Sequence, residues 1–283
     1  MFYSLSNGLL MPKIGLGTFL ISNEDAKEIV SDAIKIGYHH IDTAQMYGNE
    51  AGIGEAIKAS SRPRSGLFIT SKQRHHMPFE DAKKAFFQTL DNLQTDYIDL
   101  FLIHWPNHDK KVNQETWRFF EWLYENKYAK AIGVSNFTRS HLEDLLETAT
   151  IKPHVNQIEL HPGLNQATLR AFMDQHEIKA ISYGPFMRGG VFESPFKDVL
   201  YDIGKKHTST IAQVTIAWGI QQGIFMIPKS SDTKRLEENY RAASLTLSKE
   251  DIDAINKLNR GKRVYTDPDN NPWGVFKALE ETK

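Results

Sequence analysis

The chain has 283 residues, of which 40% are hydrophobic and 24% charged, a balance typical of a globular protein with a sizeable core. Its 34 Lys and Arg against 35 Asp and Glu give a formal charge of -1, whereas nucleic-acid binders carry a basic excess. With 0 Cys, disulfides, thiolate metal sites and a Cys nucleophile are excluded. We therefore expect no nucleic-acid partner. A metal would be left with only His and carboxylate ligands, and we expect none.

The N-terminal segment 1–12 has no basic region typical of a signal peptide. No charge-free apolar run approaches the roughly 18 residues that a membrane span requires. The absence of Cys fits a reducing compartment. These features predict a cytoplasmic protein without a membrane partner, and we expect it to be a monomer.

Eight short apolar runs follow one another along the chain and predict buried strands. They cover residues 14–18, 38–42, 67–70, 98–103, 131–134, 155–158, 180–183 and 224–227. Short buried runs of this kind are typical of a parallel sheet covered on both faces.

Segments of helical period lie between these runs. The clearest has an apolar stripe from Ala26 to Ile34 behind Ser22 and Asp25, which form a capping-box pair. Further stripes begin at Phe79, Leu142, Leu169, Ile211 and Ile252. Because strand and helix alternate without a break in composition, we predict a single α/β domain over 1–283, a (β/α)8 TIM barrel.

The alternative fold is an open doubly wound sheet. Its only nucleotide-binding candidate is Gly52-Ile53-Gly54, which lacks a third Gly and does not directly follow a strand. We interpret this segment as a turn into a helix.

In a barrel, the functional residues lie at the carboxyl ends of the strands. Asp42, Lys72 and His104 end the second, third and fourth predicted strands, and Tyr47 follows Asp42 on its loop. Each residue also has a structural interpretation: an Asp–Lys ion pair, a core His and a loop Tyr. Their convergence on one rim favours a catalytic site.

These four side chains suit the reduction of a carbonyl group. An adjacent Lys72 ammonium would favour the ionised form of Tyr47 and lower its pKa. Asp42 would keep Lys72 protonated, and His104 would donate to the carbonyl oxygen. None of them is a reductant, so the hydride must come from a cofactor.

At these residues the sequence resembles the aldo-keto reductases, in particular bacterial members related to diketogluconate and glyoxal reductases. The resemblance covers nearly the whole chain. Its motifs are the segments 15–18, 42–50, 70–72, 104–106, 133–137, 156–162 and 227–230. It implies an NADPH-dependent reductase of aldehydes and ketones, in which Asp42, Tyr47, Lys72 and His104 are catalytic and Tyr47 is the proton donor.

The resemblance also implies the residues that bind the cofactor. Tyr183 would stack on the nicotinamide, Lys229 and Arg235 would bind the 2'-phosphate, and the loop from Gly184 would wrap the pyrophosphate. The full set of implied contacts is Thr18, Ser135, Asn136, Gln157, Tyr183, Gly184, Phe186, Lys229, Ser230, Ser231, Arg235, Glu238 and Asn239. On the residues alone, Asn136 would be a helix cap and Tyr183 a core residue.

Three departures from the family pattern stand out. Gly184 replaces the usual Ser, and Asp232 adds a negative charge near the 2'-phosphate, so NADH is expected as a weaker second cofactor. The segment after Lys72 is unusually polar, with His75 and His76 expected to be exposed. The substrate, a small carbonyl compound, would lie between Phe19, Trp105 and Trp273.

Three other functions are compatible with parts of the sequence. An NADPH-sensing subunit on the same fold would be marked by a broken catalytic set or an added interaction segment, and the sequence shows neither. A metal-dependent hydrolase would use some of the 11 His, but no His-x-His ends a strand. A Ser hydrolase would need the second Gly that segment 133–137 lacks.

Overall fold

The computed structural model describes residues 2–272. The strands are β1 Phe2–Ser4, β2 Leu10–Pro12, β3 Leu16–Gly17, β4 His40–Asp42, β5 Phe68–Gln73, β6 Ile98–Ile103, β7 Ala129–Ser135, β8 Val155–Glu159, β9 Lys179–Tyr183 and β10 Phe225–Met226. The α-helices are α1 Asn23–Ile36, α2 Glu50–Ala59, α3 Phe79–Leu93, α4 Lys110–Glu125, α5 Arg139–Leu146, α6 Ala167–Gln175, α7 Phe196–His207, α8 Ile211–Gln221, α9 Thr233–Arg241 and α10 Lys249–Asn256.

Strands β3 to β10 form one parallel sheet of eight strands in chain order. Backbone hydrogen bonds also join its two edges, since the Gly15 N–H donates to the Met226 carbonyl and the Met226 N–H donates to the Lys13 carbonyl, both at 2.9 Å. The sheet therefore closes on itself. The predicted (β/α)8 barrel is confirmed, and the open doubly wound alternative is wrong.

Side chains alternate between the barrel interior and the layer under the helices, as the two-residue period of a strand requires. In β6, Leu100 and Leu102 belong to the interior cluster, whereas Phe101 and Ile103 pack in the outer layer. His104 follows Leu102 by two positions, so the same alternation points its side chain toward the barrel interior. This alternation decides which rim residues face the mouth of the barrel.

A hairpin that the sequence did not predict covers the amino end of the barrel. Strands β1 and β2 pair antiparallel, and Leu5 and Met11 pack against interior residues such as Phe68 and Phe225. The core is therefore closed at this end, and the opposite end is left to carry the site.

Gly52 and Gly54 are not part of a turn, because both lie inside α2. A Cβ atom on Gly52 would lie 2.2 Å from the carbonyl oxygen of Asn23, and one on Gly54 would lie 2.1 Å from that of Asn92. These glycines allow the backbone of α2 to approach its neighbours closely. Their role is helix packing and not phosphate binding.

Candidate active site

The carboxyl ends of neighbouring strands bring polar side chains to one rim. Asp42 ends β4, Lys72 lies near the end of β5, and His104 follows β6 directly. Tyr47 ends a short 3-10 turn, Gln45–Tyr47, in the loop after β4. The structure therefore brings together the four residues predicted as catalytic.

Lys72 is completely buried, and oxygen atoms surround its ammonium. Its Nζ lies 2.6 Å from Asp42 Oδ1, 2.8 Å from the Thr43 carbonyl and 3.5 Å from Tyr47 Oη. Burial opposes the charged form, but Asp42 and Tyr47 outweigh it, so the pKa of Lys72 is raised above its ordinary value. The ammonium therefore keeps its proton.

The carboxylate of Asp42 has partners on both oxygens. Oδ1 accepts from Lys72, and Oδ2 accepts from the Gln157 side-chain amide at 2.7 Å. Burial nevertheless raises the pKa of Asp42, with Lys72 and Gln157 opposing the shift. Two directional contacts thus fix this carboxylate beneath Lys72.

Tyr47 lies at the mouth of the barrel, half-buried between aromatic rings. Its ring centroid is 5.1 Å from that of Phe19 and 5.6 Å from that of His104. Burial raises the pKa of Tyr47 above its ordinary value, and the opposing effect of Lys72 is smaller. The expected lowering of this pKa is therefore wrong for the free protein, in which Tyr47 holds its proton.

His104 is buried, and its pKa lies well below its ordinary value. The main cause is burial, to which the positive charge of Lys72 and the nearby His75 add. The imidazole is therefore neutral near pH 7. A neutral ring carries one N–H and can donate a single hydrogen bond.

Residues at the ends of β7, β8 and β9 extend the rim. The Tyr183 hydroxyl donates to Asn136 Oδ1 at 2.7 Å, and the Asn136 amide donates to the His104 carbonyl at 2.9 Å. Asn136 has a left-handed φ of 65°, whereas Thr138 caps α5. Asn136 is thus not a helix cap, and Tyr183 is a half-buried rim residue and not a core residue.

The hydroxyl groups of Ser135 and Thr18 support the neighbouring strands. Ser135 Oγ donates to the Gln157 carbonyl, and Thr18 Oγ1 donates to the Asp42 carbonyl, both at 2.9 Å. Both residues are buried. They lie at the predicted cofactor-binding rim.

The loop after β9 turns through left-handed backbone conformations. Gly184 has φ 61°, and Met187, Arg188 and Gly189 follow with φ of 54°, 53° and 99°. Within this loop the Met187 and Gly189 N–H groups donate to the Gly184 and Phe186 carbonyls, at 3.0 Å and 2.8 Å. Phe186 precedes them, half-buried, with its ring 6.0 Å from that of Phe192.

The Tyr265 ring covers the start of this loop. It packs edge-on against Tyr183 with centroids 5.4 Å apart, and the Arg188 guanidinium lies 4.6 Å from its centroid. A Cβ on Gly184 would lie 2.4 Å from a Tyr265 ring carbon. The Gly in place of the usual Ser therefore makes room for an aromatic ring from the tail.

The residues predicted to bind the adenosine phosphate gather at the start of α9. Lys229, Ser231 and Arg235 are exposed, whereas Ser230 and Asn239 are buried. Glu238 accepts a hydrogen bond from the Thr210 hydroxyl. Asp232 caps α9 by accepting from the Arg235 N–H at 2.9 Å. This Asp thus has a structural role that the sequence analysis did not assign.

The segment after Lys72 differs from the expectation. His76 is partly buried and bonds through its ring nitrogens to Thr116 Oγ1 and the Trp105 carbonyl, both at 2.9 Å. Burial lowers the pKa of His76 to about 4. Its predicted exposure is wrong, whereas His75 is exposed.

The predicted substrate pocket is described in part. Phe19 is 49% exposed beside Tyr47, and Trp105 is partly buried at the end of β6. Trp273 lies outside the described residues.

Thr43 and Asn49 were not predicted as part of the site. The Thr43 hydroxyl donates to Asn49 Oδ1 at 2.7 Å, and the Asn49 amide donates to the Thr18 and Ile21 carbonyls at 3.0 Å each. Both residues are buried. They hold together the two loops that carry Phe19 and Tyr47. Both lie within the motif segment 42–50, but nothing in that segment marked these contacts.

Comparisons with known proteins show the family to which the chain belongs. The model of the Aldo/keto reductase family matches residues 13–260. Glyoxal reductase of Bacillus subtilis is 45% identical over 267 residues, which cover 94% of this chain and 95% of that one. Methylglyoxal reductase DkgA of Escherichia coli is 38% identical over 270 residues, which cover 94% and 96%.

Solved structures show the same fold. A crystal structure of a Gox0644 variant in complex with NADPH has a TM-score of 0.90 and 34% identity, and covers 96% of this chain and 98% of that one. An aldo/keto reductase from Brucella melitensis has a TM-score of 0.86 and 42% identity, and covers 91% and 99%. The chain therefore belongs to the aldo/keto reductase family and is an oxidoreductase, which confirms the resemblance seen in the sequence.

No helix within residues 2–272 is long and apolar enough to cross a membrane. Cytoplasmic location and a monomeric state stay predictions from the sequence.

Proposed function

We propose that this protein is an NADPH-dependent reductase of small aldehydes and ketones, with Asp42, Tyr47, Lys72 and His104 as its catalytic residues. The observation that supports it most is the position of Lys72, whose Nζ lies 2.6 Å from Asp42 and 3.5 Å from Tyr47. A buried ammonium held beside a phenol can stabilise the phenolate that proton donation leaves behind.

NADPH fits the residues present. When bound, it supplies the hydride. Tyr183 offers a half-buried ring at the rim, and Lys229 and Arg235 offer exposed cations for the 2'-phosphate. The left-handed loop from Gly184 to Gly189 would wrap the pyrophosphate. Within the described part of the chain, Lys229 forms no ion pair. A free cation at this position supports NADPH over NADH.

The protein groups would act on the carbonyl oxygen. The His104 N–H hydrogen-bonds that oxygen and orients it, and Tyr47 Oη transfers its proton to the oxygen as negative charge develops there. The Lys72 ammonium stabilises the resulting phenolate, while Asp42 and Gln157 hold Lys72 in place. In the reverse direction, the Tyr47 phenolate is the base.

The substrate class we propose is the small dicarbonyl compounds. The relatives named glyoxal reductase and methylglyoxal reductase support it, as does the aromatic wall that Phe19 and Tyr47 form at the mouth, with ring centroids 5.1 Å apart. Apolar walls of this kind select weakly by shape, so several small aldehydes are expected to be turned over.

The test is the loss of NADPH absorbance with glyoxal, methylglyoxal and aromatic aldehydes, for the wild type and Tyr47→Phe. The variant should lose at least about 100-fold in kcat because the proton donor is gone, and should still bind NADPH. Tyr201→Phe, at an exposed ring on α7, is the matched control and should behave as the wild type. Full activity of Tyr47→Phe would refute the mechanism, and NADPH binding without turnover by the wild type would favour the sensing role.

A further inference from the structure

A small cavity lies between the ends of β5 and β6, directly behind the catalytic rim. Its lining residues are Gln73, Arg74, His75, His76, Ile103, His104 and Trp105. Gln73 stands where the strand leaves the sheet, one position after Lys72. The cavity therefore connects a residue outside the proposed catalytic set with His104, which belongs to it.

Two polar atoms of the lining residues are buried without a hydrogen-bond partner, namely Gln73 Oε1 and His104 Nδ1. Both residues are nearly fully buried, with exposed fractions of 3% and 7%. A buried polar atom without a partner costs about 1 to 3 kcal/mol, so two of them at one cavity indicate a shared partner. The space open to the centre of a water molecule is about 10 Å³, which is close to what one water requires.

We propose that a single water molecule in this cavity bridges Gln73 Oε1 and His104 Nδ1, and that Gln73 thereby acts as a positioning residue that fixes the tautomer of His104. The proposal rests on the function proposed above, because it assigns His104 the role of hydrogen-bond donor to the substrate.

The direction of the bridge follows from the contacts of Gln73. Its Nε2 donates to the His75 carbonyl at 2.6 Å, so its Oε1 is the atom left to accept. A water that donates one hydrogen to Gln73 Oε1 has its second hydrogen for His104 Nδ1. In the opposite tautomer, with the proton on Nδ1, His104 would donate to this water. The second O–H of the water would then need another acceptor in a buried cavity.

The consequence concerns the other nitrogen of the ring. When Nδ1 accepts, the single proton of the neutral imidazole is on Nε2, the nitrogen left to face a ligand beside Tyr47. The ring is then set to donate to a carbonyl oxygen before the substrate arrives. Such preorganisation lowers the barrier because no tautomer change is needed during the reaction.

The experiment is two-bond 1H–15N NMR of the full-length protein labelled at histidine nitrogens, recorded without NADPH or substrate. The His104 signals are assigned by their loss in His104→Ala. The wild type should show His104 protonated at Nε2 only. Gln73→Met, which keeps the length of the side chain but removes the acceptor, should show a mixture of tautomers or the Nδ1–H form.

Kinetics provide the second measurement. Gln73→Met should lose about tenfold in kcat for glyoxal reduction, with NADPH binding unchanged. Gln73→Leu also removes the acceptor and should change the tautomer in the same way, so it serves if the Met variant does not fold. Thr116→Val is the matched control, because it removes a contact of the same loop, that of Thr116 Oγ1 with His76, but no polar atom of the bridge.

A wild-type His104 protonated at Nδ1 would overturn the proposal, and so would a Gln73→Met variant with an unchanged His104 spectrum. These spectra are independent of turnover. The tautomer proposal can therefore be refuted separately from the reductase proposal, which Tyr47→Phe tests.

Discussion

Lys72 and Asp42 act as one unit at the scale of single residues. Both side chains are buried at the rim, and their charged atoms lie 2.6 Å apart. Removal of one partner leaves the other charge without compensation in a site with little water, whereas removal of both leaves no charge at all. The pair therefore predicts a non-additive response to mutation.

Lys72→Met should lower the free energy of unfolding by about 3 kcal/mol, because Asp42 is left buried without its cation. The double variant Asp42→Asn with Lys72→Met should recover part of that loss. Both should lose at least about 100-fold in kcat, since neither retains the cation beside Tyr47. Urea unfolding and steady-state kinetics measure the two effects, and strictly additive stabilities would contradict the ion-pair argument.

The convergence of the four residues proposed as catalytic could be predicted, because polar side chains that end buried strands stand out in the sequence. The sign of the pKa shift of Tyr47 could not, because it depends on how deeply the loop buries the ring beside Phe19 and His104. The roles of Thr43 and Asn49 were missed for a different reason. Asn49 acts through the backbone carbonyls of Thr18 and Ile21, and Thr43 acts through its contact with Asn49. No spacing in the sequence marks such contacts.

At the scale of elements, we expect the start of α9 to set the preference between the two nicotinamide cofactors. Asp232 caps the helix, but its charge also lies near Arg235, one of the residues proposed to bind a 2'-phosphate. Arg235 Nε lies 3.9 Å from Asp232 Oδ1. We therefore expect the cap to stabilise the helix and to weaken the binding of a 2'-phosphate at the same time.

Asp232→Ser should lower KM for NADPH by about threefold to tenfold, because Ser keeps the cap but removes the negative charge. KM for NADH, which has no 2'-phosphate, should change little. Asp232→Asn is a second neutral cap and should act in the same way, and added salt should reduce both effects. Equal changes for the two cofactors would indicate that Asp232 acts on the helix and not on the phosphate.

The loop after β9 and the tail depend on each other at Gly184. Gly184→Ser should lower the free energy of unfolding by about 2 kcal/mol, through contact with Tyr265 and the left-handed φ of 61°. In the double variant Gly184→Ser with Tyr265→Ala, the part of this loss in the free energy of unfolding that comes from the contact with the ring should disappear. Denaturant unfolding of the four proteins measures this coupling, and a Ser variant as stable as the wild type would show that the ring is easily displaced.

The elements themselves could be predicted where the apolar period was complete. Helix α1 begins as expected at Ser22, whose hydroxyl accepts from the Asp25 N–H. Helix α4 was not predicted, because the buried positions of its stripe include the polar Asn113 and Thr116. The hairpin β1–β2 has strands of three residues each, and its place under the barrel depends on packing that the sequence does not display.

At the scale of the whole molecule, buried histidines link stability to acidity. Burial lowers the pKa of His40 to about 3 and that of His76 to about 4, and that of His104 lies well below its ordinary value. In the unfolded chain these groups bind protons below about pH 6.5. The unfolded state then holds more protons than the folded state, so stability falls as the pH drops below that value.

Between pH 7.5 and 5.5, each of these histidines should cost roughly 1.4 kcal/mol of stability. Urea unfolding across this range measures the loss of stability. His76→Gln should reduce that loss by the contribution of one histidine. If the free energy of unfolding did not decrease from pH 7.5 to pH 5.5, the rings would be protonated in the folded protein as well.

The closure of the barrel by Ile14 and Met226 also has a consequence for biosynthesis. Strand β3, the first strand of the barrel, emerges from the ribosome early. One of its two neighbours, β10, is made only when most of the chain has been translated. Until then, β3 presents an unpaired edge, and such edges favour association with other chains. The nascent chain is therefore most prone to aggregation just before residues 224–229 emerge, and chaperone binding should be most useful to it at that stage of translation.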